Sequence, residues 1–138
     1  MPIFSFSGTR PANLGIKNSQ LAPCPSPPNC VSSDAADGVH RVGAFPLALP
    51  ADQAWPAVRQ IVAKQQRTRV IKETDEYLYA ECRSAFFGFV DDLELNLRPQ
   101  QNLIAVRSAA RLGYSDFGIN RRRIESLREL LREQGVIR

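Results

Sequence analysis

The stretch "FGFVDDLELNLRPQQNLIAVRSAAR", residues 87–111, decides the fold because it predicts two antiparallel β-strands joined by a turn at Pro99. In each strand, apolar side chains alternate with polar ones, which is the pattern of a strand with one buried face. The two runs therefore predict a hairpin within an antiparallel sheet.

A single register keeps the apolar sides of both strands on one face of the sheet. It predicts the pairs Leu97–Ile104, Leu95–Val106, Leu93–Ser108, Glu94–Arg107 and Asp91–Ala110. The first strand is expected to begin at Phe87. On its apolar face, Phe89 and Leu93 flank Asp91, whose carboxylate is therefore expected to point at the core. A carboxylate out of water needs a partner.

The segments on either side of this hairpin extend the pattern to a complete domain. Strands are predicted in residues 40–49, 68–72 and 76–84, and helices in residues 50–66 and 117–134. The order β-α-β-β-β-β-α predicts a two-layer α+β fold, in which an antiparallel sheet of about five strands packs against two helices.

Residues 1–39 are expected to form an irregular arm, here called the N-terminal arm, ahead of a single α+β domain at residues 40–138. The arm holds six of the ten prolines and shows no hydrophobic periodicity. A chain of 138 residues is long enough to bury one hydrophobic core without metals or disulfides.

The three cysteines do not form the pattern of a metal site. Cys24 and Cys30 frame "CPSPPNC", whose spacer is longer than that between paired zinc ligands, and His40 is the only histidine. No metal or other cofactor is therefore expected. The N-terminus lacks the basic and apolar regions of a signal peptide, which predicts a cytoplasmic location and, as the default, reduced thiols at both positions. In an oxidising compartment, a disulfide across this short loop is the alternative. Cys82 is expected to pack as a small buried hydrophobe.

The net charge of +4 is concentrated in the last quarter of the chain. Residues 107–138 carry eight arginines and four acidic residues, and the whole chain has fifteen arginines against three lysines. The planar guanidinium suits bidentate contacts with carboxylates or phosphates, although genome composition accounts for the same bias. Nucleic acid binding is not predicted, because the arginines alternate with glutamates and no aromatic stacking platform accompanies them.

Three polar side chains are expected to meet where the hairpin joins the last helix. The apolar stripe of that helix, followed backward, reaches Asn120 in its first turn, with Ser115 or Asp116 as the N-cap. Asn120 should therefore converge with Asp91 and Ser108. The cations available to the carboxylate are Arg107, Arg111 and Arg123.

This cluster has three interpretations, which the residues leave open. In the first, Asp91 accepts hydrogen bonds from its polar neighbours and fixes the last helix to the sheet. In the second, the arginines and the helix N-terminus form a pocket for a phosphate or carboxylate ligand. In the third, Asp91 or Asp92 acts as a general acid or base. Neighbours on a strand point to opposite faces, so these two cannot form a close carboxylate pair.

Three longer motifs, "LAPCPSPPNCVSS", "FFGFVDDLELNL" and "IAVRSAARLGYSDFGINRRRIESL", together resemble a bacterial and plastid family known as domain of unknown function 1499. The resemblance runs from about residue 21 to residue 133. It implies that the family's motif positions are occupied here by Asn29, Cys30, Ser32, Ser33, Asp91, Asp92, Arg107, Ser108, Arg111, Ser115, Asp116, Asn120 and Arg123. Members often carry an export or membrane segment ahead of the domain, which implies an envelope location where such a segment is present.

The chain is therefore expected to be a non-enzymatic module that binds a small anionic or amphiphilic ligand at the arginine-rich strand-to-helix junction. The ligand-binding candidates are Asp91, Asp92, Arg107, Ser108, Arg111, Asp116, Asn120 and Arg123. A second candidate patch comprises Asn29, Cys30, Ser32 and Ser33. One alternative is a hydrolase based on Asp91 or Asp92, with Ser108 or Cys30 as its partner. The other is a purely structural or partner-binding protein.

Overall fold

The computed structural model describes residues 6–85 and 87–138, so the first five residues of the N-terminal arm lie outside the described part. Within this part the chain forms eight β-strands and two α-helices. The strands are β1 Ile16–Lys17, β2 Gln20–Leu21, β3 Cys30–Ser32, β4 Phe45–Pro46, β5 Thr68–Glu73, β6 Tyr77–Arg83, β7 Val90–Arg98 and β8 Leu103–Ala110. The helices are α1 Ala51–Ala63 and α2 Ile119–Glu133, and a 3₁₀ turn, Pro99–Gln101, joins β7 to β8.

Six of the described strands form one antiparallel sheet in the order β3-β8-β7-β6-β5, and β4 pairs with the same edge of β8 as β3 does. From β4 onward the element order is the predicted β-α-β-β-β-β-α, which confirms the two-layer α+β class. The strand count is larger than predicted because the N-terminal arm adds β3 to the sheet and forms a β1-β2 hairpin. These additional strands are two or three residues long, too short to produce a periodic signal in the sequence.

The β7-β8 hairpin has the predicted register over its whole length. The first strand begins later than predicted, at Val90, and both Phe87 and Phe89 are exposed instead of facing the core. Gly88 adopts a left-handed backbone conformation with φ +67°, which turns the chain away from the extended path that a longer strand would need.

The strand predicted over residues 40–49 is reduced to the two residues of β4. The carbonyl oxygens of Gly43 and Ala44 accept hydrogen bonds of 2.6 and 3.0 Å from the guanidinium of Arg128 on α2. This part of the backbone is therefore bonded to a helix side chain where a longer strand would bond to a neighbouring strand.

The two helices cover one face of the sheet and enclose the hydrophobic core. The largest contributions from the helices are Trp55, Val58 and Val62 on α1 and Ile124, Leu127 and Leu131 on α2. They pack against the apolar side of β6, β7 and β8, where Cys82 is buried as predicted. Among the residues that the structure describes, neither helix is long and apolar enough to cross a membrane.

The other face of the sheet is polar and lies under the N-terminal arm. Along β7, the residues that alternate with the core leucines are Asp92, Glu94 and Asn96, all of them buried. A small apolar cluster on this side is formed by Leu21, Tyr77, Tyr79 and Ala105. Because the arm excludes water from these polar side chains, they must find partners within the protein.

Cys24 and Cys30 form a disulfide, which corrects the prediction of reduced thiols. Their Cα atoms lie 5.7 Å apart, a separation that a disulfide spans without backbone movement. The prediction was wrong because it relied on the character of the N-terminus, whereas the proline-rich turn itself brings the two cysteines together. The bond closes the turn that leads into β3.

Replacing both cysteines with serine is expected to lower the free energy of unfolding by about 2 kcal/mol, since the disulfide restricts a short loop of the unfolded chain. Urea denaturation of the wild type with and without a reductant measures this difference. The double variant serves as the control, because a reductant should leave its midpoint unchanged. A wild-type midpoint that does not move on reduction would contradict the prediction.

Candidate functional site

The predicted site residues do not form one pocket, because the sheet separates them onto its two faces. Alternation along β7 and β8 places Asp91 and Ser108 on the face covered by the helices, whereas Asp92 points under the N-terminal arm. Arg123 belongs to the first group and Arg111 to the second. The predicted set is thus two clusters, one on the helix face and one on the arm face.

The helix-face cluster consists of Asp91, Ser108, Asn120 and Arg123. Arg123 Nη1 lies 2.8 Å from Asp91 Oδ2, so the largely buried carboxylate has a direct cationic partner. The same nitrogen donates hydrogen bonds to Asn120 Oδ1 (2.7 Å) and Ser108 Oγ (3.2 Å). Ser108 Oγ in turn donates to Asn120 Oδ1 (2.7 Å). The structure therefore brings these three polar residues together, with Arg123 as the cation.

Asp116 joins the first turn of α2 to this cluster. The N-cap is Gly118, in a left-handed conformation with φ +80°, so neither Ser115 nor Asp116 occupies the predicted capping position. Asp116 still satisfies the helix start, because its Oδ1 accepts from the Gly118 amide (2.8 Å) and its Oδ2 from the Asn120 amide (3.0 Å). Asn120 Nδ2 donates to the same Oδ2 (2.8 Å) and to the carbonyl of Asn29 (3.3 Å), which connects the helix to the arm.

The two carboxylates of this region differ in how easily they ionise. Burial raises the pKa of Asp91, and the nearby guanidinium of Arg123 opposes that shift without cancelling it. Burial acts in the same direction on Asp116, but hydrogen bonds from the backbone and side-chain amides of Asn120 outweigh it, so the pKa of Asp116 is lowered. The ionisation of Asp91 therefore depends on Arg123 remaining in place.

Arg111 is the centre of the arm-face cluster. It donates to both oxygens of Asp92, from Nε (2.9 Å) and Nη2 (2.8 Å), and Nη2 also donates to Glu81 (2.5 Å). The hydroxyl of Tyr79 donates to Asp92 (2.5 Å) and accepts from Arg111 (3.1 Å). Burial and the bond to Asp92 raise the pKa of Tyr79, which keeps the hydroxyl a donor. Arg10 of the arm donates to Glu81 from outside (2.8 Å).

Glu94 and Arg107 form a second buried pair on the same face. Glu94 Oε2 accepts hydrogen bonds from the hydroxyl of Tyr77 (2.6 Å) and the amide of Gly15 (2.8 Å). Its Oε1 lies 3.5 Å from Arg107 Nη1, and Arg107 Nη2 donates to the carbonyl of Pro23 (3.2 Å). Among the described residues, Arg107 Nε is the only buried side-chain nitrogen or oxygen without a hydrogen-bond partner. Both members of the pair thus bind the backbone of the arm.

The second candidate patch attaches the arm to the edge of the sheet. The side chain of Asn29 donates to a carbonyl in the loop after β8 (2.8 Å), and Ser33 Oγ accepts from an amide of β8 (2.9 Å). Ser32 Oγ accepts from an amide of its own turn (3.1 Å), while Cys30 belongs to the disulfide. These polar groups are used to hold β3 against β8.

A cleft of about 350 Å³ opens beside Arg123, where the C-terminal end of α1, the start of β5 and the middle of α2 meet. Its polar lining comes from Gln65, Gln66, Arg67, Thr68, Arg83, Arg123 and Ser126. Its apolar lining comes from Val62, Cys82, Leu93 and Leu127. Among the described residues that line it there is no carboxylate, so the cleft is positive over an apolar floor.

Among the described residues that line this cleft, Arg123 is the only one that was predicted as a site residue. The stretch "QQRTR", residues 65–69, carried a signal, because a polar and basic run directly follows an amphipathic helix. Arg67 within it has φ +53°, a left-handed conformation that costs a non-glycine residue about 1 kcal/mol. Its carbonyl accepts a hydrogen bond of 2.8 Å from the amide of Arg83, which holds the two arginines on neighbouring strand ends.

The geometry does not favour a nucleophilic mechanism. Ser108 is fully buried with its hydroxyl bonded, and Cys30 is joined to Cys24. Both oxygens of Asp92 are held by Arg111. In the part of the chain that the structure describes, no three His, Cys, Asp or Glu side chains are placed to hold a metal ion. What the arrangement offers is guanidinium donors at the rim of an apolar cleft.

Comparison with known protein families gives a match over most of the chain. Residues 20–131 match the model of a family described as "Protein of unknown function (DUF1499)". A search of the curated proteins found no match, and a search of the solved structures found none either.

Proposed function

Because the chain belongs to the DUF1499 family, whose function is unknown, we propose a function from the site itself: the domain binds a small amphiphilic anion in the cleft beside Arg123. The observation that carries the proposal is the lining of the cleft, in which three arginines surround an apolar floor. A phosphate or carboxylate head group suits the guanidinium forks, and a short apolar chain suits the floor.

Arg123 is suited to contact such a ligand because only one of its nitrogens is used internally. Within the described residues, its hydrogen bonds to Ser108 and Asn120 both use Nη1, which is also the nitrogen nearest to Asp91. Nε and Nη2 are left for a ligand, and the side chain is 23% exposed. Since its orientation is already fixed, binding requires little further ordering of this side chain.

Arg67 and Arg83 supply positive charge from another wall of the cleft. Both are exposed, and neither has a carboxylate partner among the described ion pairs. The volume of about 350 Å³ lies at the lower end of the range for ligand pockets. It fits a phosphate or carboxylate head group with a short alkyl chain such as octyl.

The proposal keeps part of the predicted site and moves its centre. Arg123 contacts the ligand. The guanidinium of Arg123 is held in position by the other residues of the helix-face cluster and its helix start, Asp91, Ser108, Asn120 and Asp116. On the arm face, Asp92 is bonded to Arg111 and Tyr79, and Arg107 is bonded to Glu94 and to the backbone of the arm. The proposed site does not include these residues.

Titration with octyl phosphate, followed by the NMR shifts of backbone amides and arginine side chains, tests the proposal. Shifts are expected at the end of α1, the start of β5 and the middle of α2. Inorganic phosphate and 1-octanol each lack one half of the probe, so each should bind at least about tenfold more weakly. Shifts confined to the arm face would show that the site is wrong.

Arg67→Gly is expected to weaken octyl phosphate binding about tenfold without lowering stability. Glycine adopts φ +53° at no steric cost, so the variant removes the guanidinium and keeps the turn. Arg132→Gln is the matched control, because Arg132 lies on the exposed side of α2 and pairs only with Glu129 (3.3 Å) among the described residues. Its Kd should equal that of the wild type; an unchanged Kd for Arg67→Gly would remove Arg67 from the site.

A further inference from the structure

Large apolar side chains are exposed together at one end of the sheet, where β6 and β8 end and β7 begins. This aromatic end consists of Phe6, Phe87, Phe89, Leu112, Tyr114, Phe117 and Ile119. Phe117 is 83% exposed and Tyr114 is 71% exposed. Elsewhere in the described part of the chain, the exposed large hydrophobic residues are Ile16 and Val39. The exposure is therefore concentrated at this end.

The aromatic end is built from three segments of the chain: the start of the arm, the β6-β7 turn and the loop after β8. The rings of Phe6 and Phe89 stack with centroids 5.3 Å apart, and Phe87 lies 5.9 and 6.0 Å from them. The arm then crosses the loop after β8, where Gly8 packs against the side chain of Leu112 so closely that an added Cβ atom would lie 3.2 Å from Cγ of Leu112. Large apolar side chains that are exposed together at one end of a sheet are typical of an interaction site.

Arginines flank these loops, and the loops themselves carry almost no negative charge. Arg83, which also lines the cleft, and Arg122 each donate a hydrogen bond to a carbonyl of an exposed loop, at 3.4 and 2.8 Å. Asp116 is the only acidic residue in the stretches 84–89 and 111–119. Both of its oxygens accept hydrogen bonds from the start of α2. The aromatic end is thus apolar at its tip and positive at its rim.

We propose that the aromatic end docks onto the surface of an anionic lipid bilayer. Phenylalanine and tyrosine rings carried on loops insert at the level of the lipid head groups, while arginines beside them pair with lipid phosphates. A second copy of the chain is a poorer occupant, since a symmetric contact through this surface would bring two positive rims together. The proposal does not depend on the identity of the cleft ligand.

Cosedimentation with lipid vesicles tests this surface. Vesicles of phosphatidylcholine are compared with vesicles in which part of this lipid is replaced by anionic phosphatidylglycerol. The wild type is expected to partition at least about tenfold more strongly onto the anionic vesicles, and added salt should weaken that binding. Equal binding to both kinds of vesicle would overturn the proposal.

The double variant Tyr114→Ser/Phe117→Ser is expected to lose about tenfold in its partition onto anionic vesicles. Ile16→Ser is the matched control, because Ile16 is 42% exposed, as is Phe89, but lies on the arm hairpin. It should bind like the wild type. Wild-type binding by the double variant would overturn the proposal, and so would a dimer in analytical ultracentrifugation that the double substitution dissociates.

Octyl phosphate titration of the same double variant separates this proposal from the cleft ligand. An unchanged Kd together with weaker vesicle binding supports a docking surface that is distinct from the cleft. If the double variant also bound octyl phosphate more weakly, both effects would belong to one site, and the proposal of a separate docking surface would be overturned.

Discussion

Arg111→Met is expected to lower the free energy of unfolding by about 3 to 5 kcal/mol. The substitution leaves Asp92, which is 1% exposed, without either of its guanidinium bonds, and Glu81 loses one partner. Burying a carboxylate away from both water and a counter-charge costs free energy, and methionine fills the space without supplying a hydrogen-bond donor. Urea denaturation near neutral pH measures the difference.

Arg10→Met is the matched control for this substitution. Arg10 and Arg111 both donate to Glu81, but the side chain of Arg10 is 53% exposed compared with 6% for Arg111. Water replaces the lost partner at the exposed position, so this variant should be much less destabilised. If Arg111→Met were no more destabilising than Arg10→Met, the arm-face cluster would not have the importance assigned to it.

The effect of Arg111→Met should also depend on pH. Burial opposes ionisation of Glu81, but hydrogen bonds from Arg10 and Arg111 outweigh it, so the pKa of Glu81 lies below its usual value. A lowered folded-state pKa contributes stability above the unfolded-state pKa, and this is lost as the pH falls through the folded-state pKa. The gap between wild type and variant should therefore narrow below about pH 4.

Asn120→Leu is expected to cost about 3 kcal/mol, even though leucine has a similar volume and continues the apolar stripe of α2. Asn120 is fully buried and accepts hydrogen bonds from Ser108 and Arg123. Leucine leaves the Ser108 hydroxyl without its acceptor and releases Arg123 from one of its anchors. The variant should also bind octyl phosphate more weakly, because Arg123 is no longer held in place.

A double-mutant cycle with Ser108→Ala distinguishes lost hydrogen bonds from poor packing. Alanine removes the hydroxyl donor that Asn120→Leu leaves without an acceptor, so the double variant should be more stable than the sum of the two single effects predicts, by at least about 1 kcal/mol. Additive effects would mean that the cost comes from the shape of leucine alone.

Local patterns are sufficient to predict the centre of the fold. Alternation within residues 87–111 predicts the β7-β8 register, and the helical stripe predicts the burial of Asn120. Both signals use residues that are close in sequence. The arm strand β3 gives no such signal, because its contacts are distant in sequence. Ser33, which directly follows β3, exchanges hydrogen bonds with Val106, 73 residues away.

The candidate site was less predictable than the fold for a related reason. Cross-strand pairing predicts that Glu94 faces Arg107, since that contact follows from the register alone. The partner of Arg111 does not follow from any register, because this residue lies beyond the end of β8. The cleft beside Arg123 is a space that α1 and α2 leave unfilled, and such a space depends on how the helices pack.

The arginine bias of the chain has a structural explanation on the arm face. There the four arginines Arg10, Arg98, Arg107 and Arg111 pair with the carboxylates of Glu81, Asp34, Glu94 and Asp92. A planar fork can satisfy both oxygens of a carboxylate, as Arg98 does with Asp34 at 2.8 and 2.7 Å. For these residues, the anion that suits the guanidinium is the protein's own.

The pairing of β3 with β8 also has a consequence for how the chain folds. The N-terminal arm is synthesised well before β8, the strand that it joins, so the arm closes over the sheet only after a long loop has been bridged. Until then, Asp92, Glu94 and Arg107 remain in water, where charged side chains are well solvated. The arm face of the sheet is therefore covered late, and its charged side chains make it less prone to aggregate while it is exposed to water.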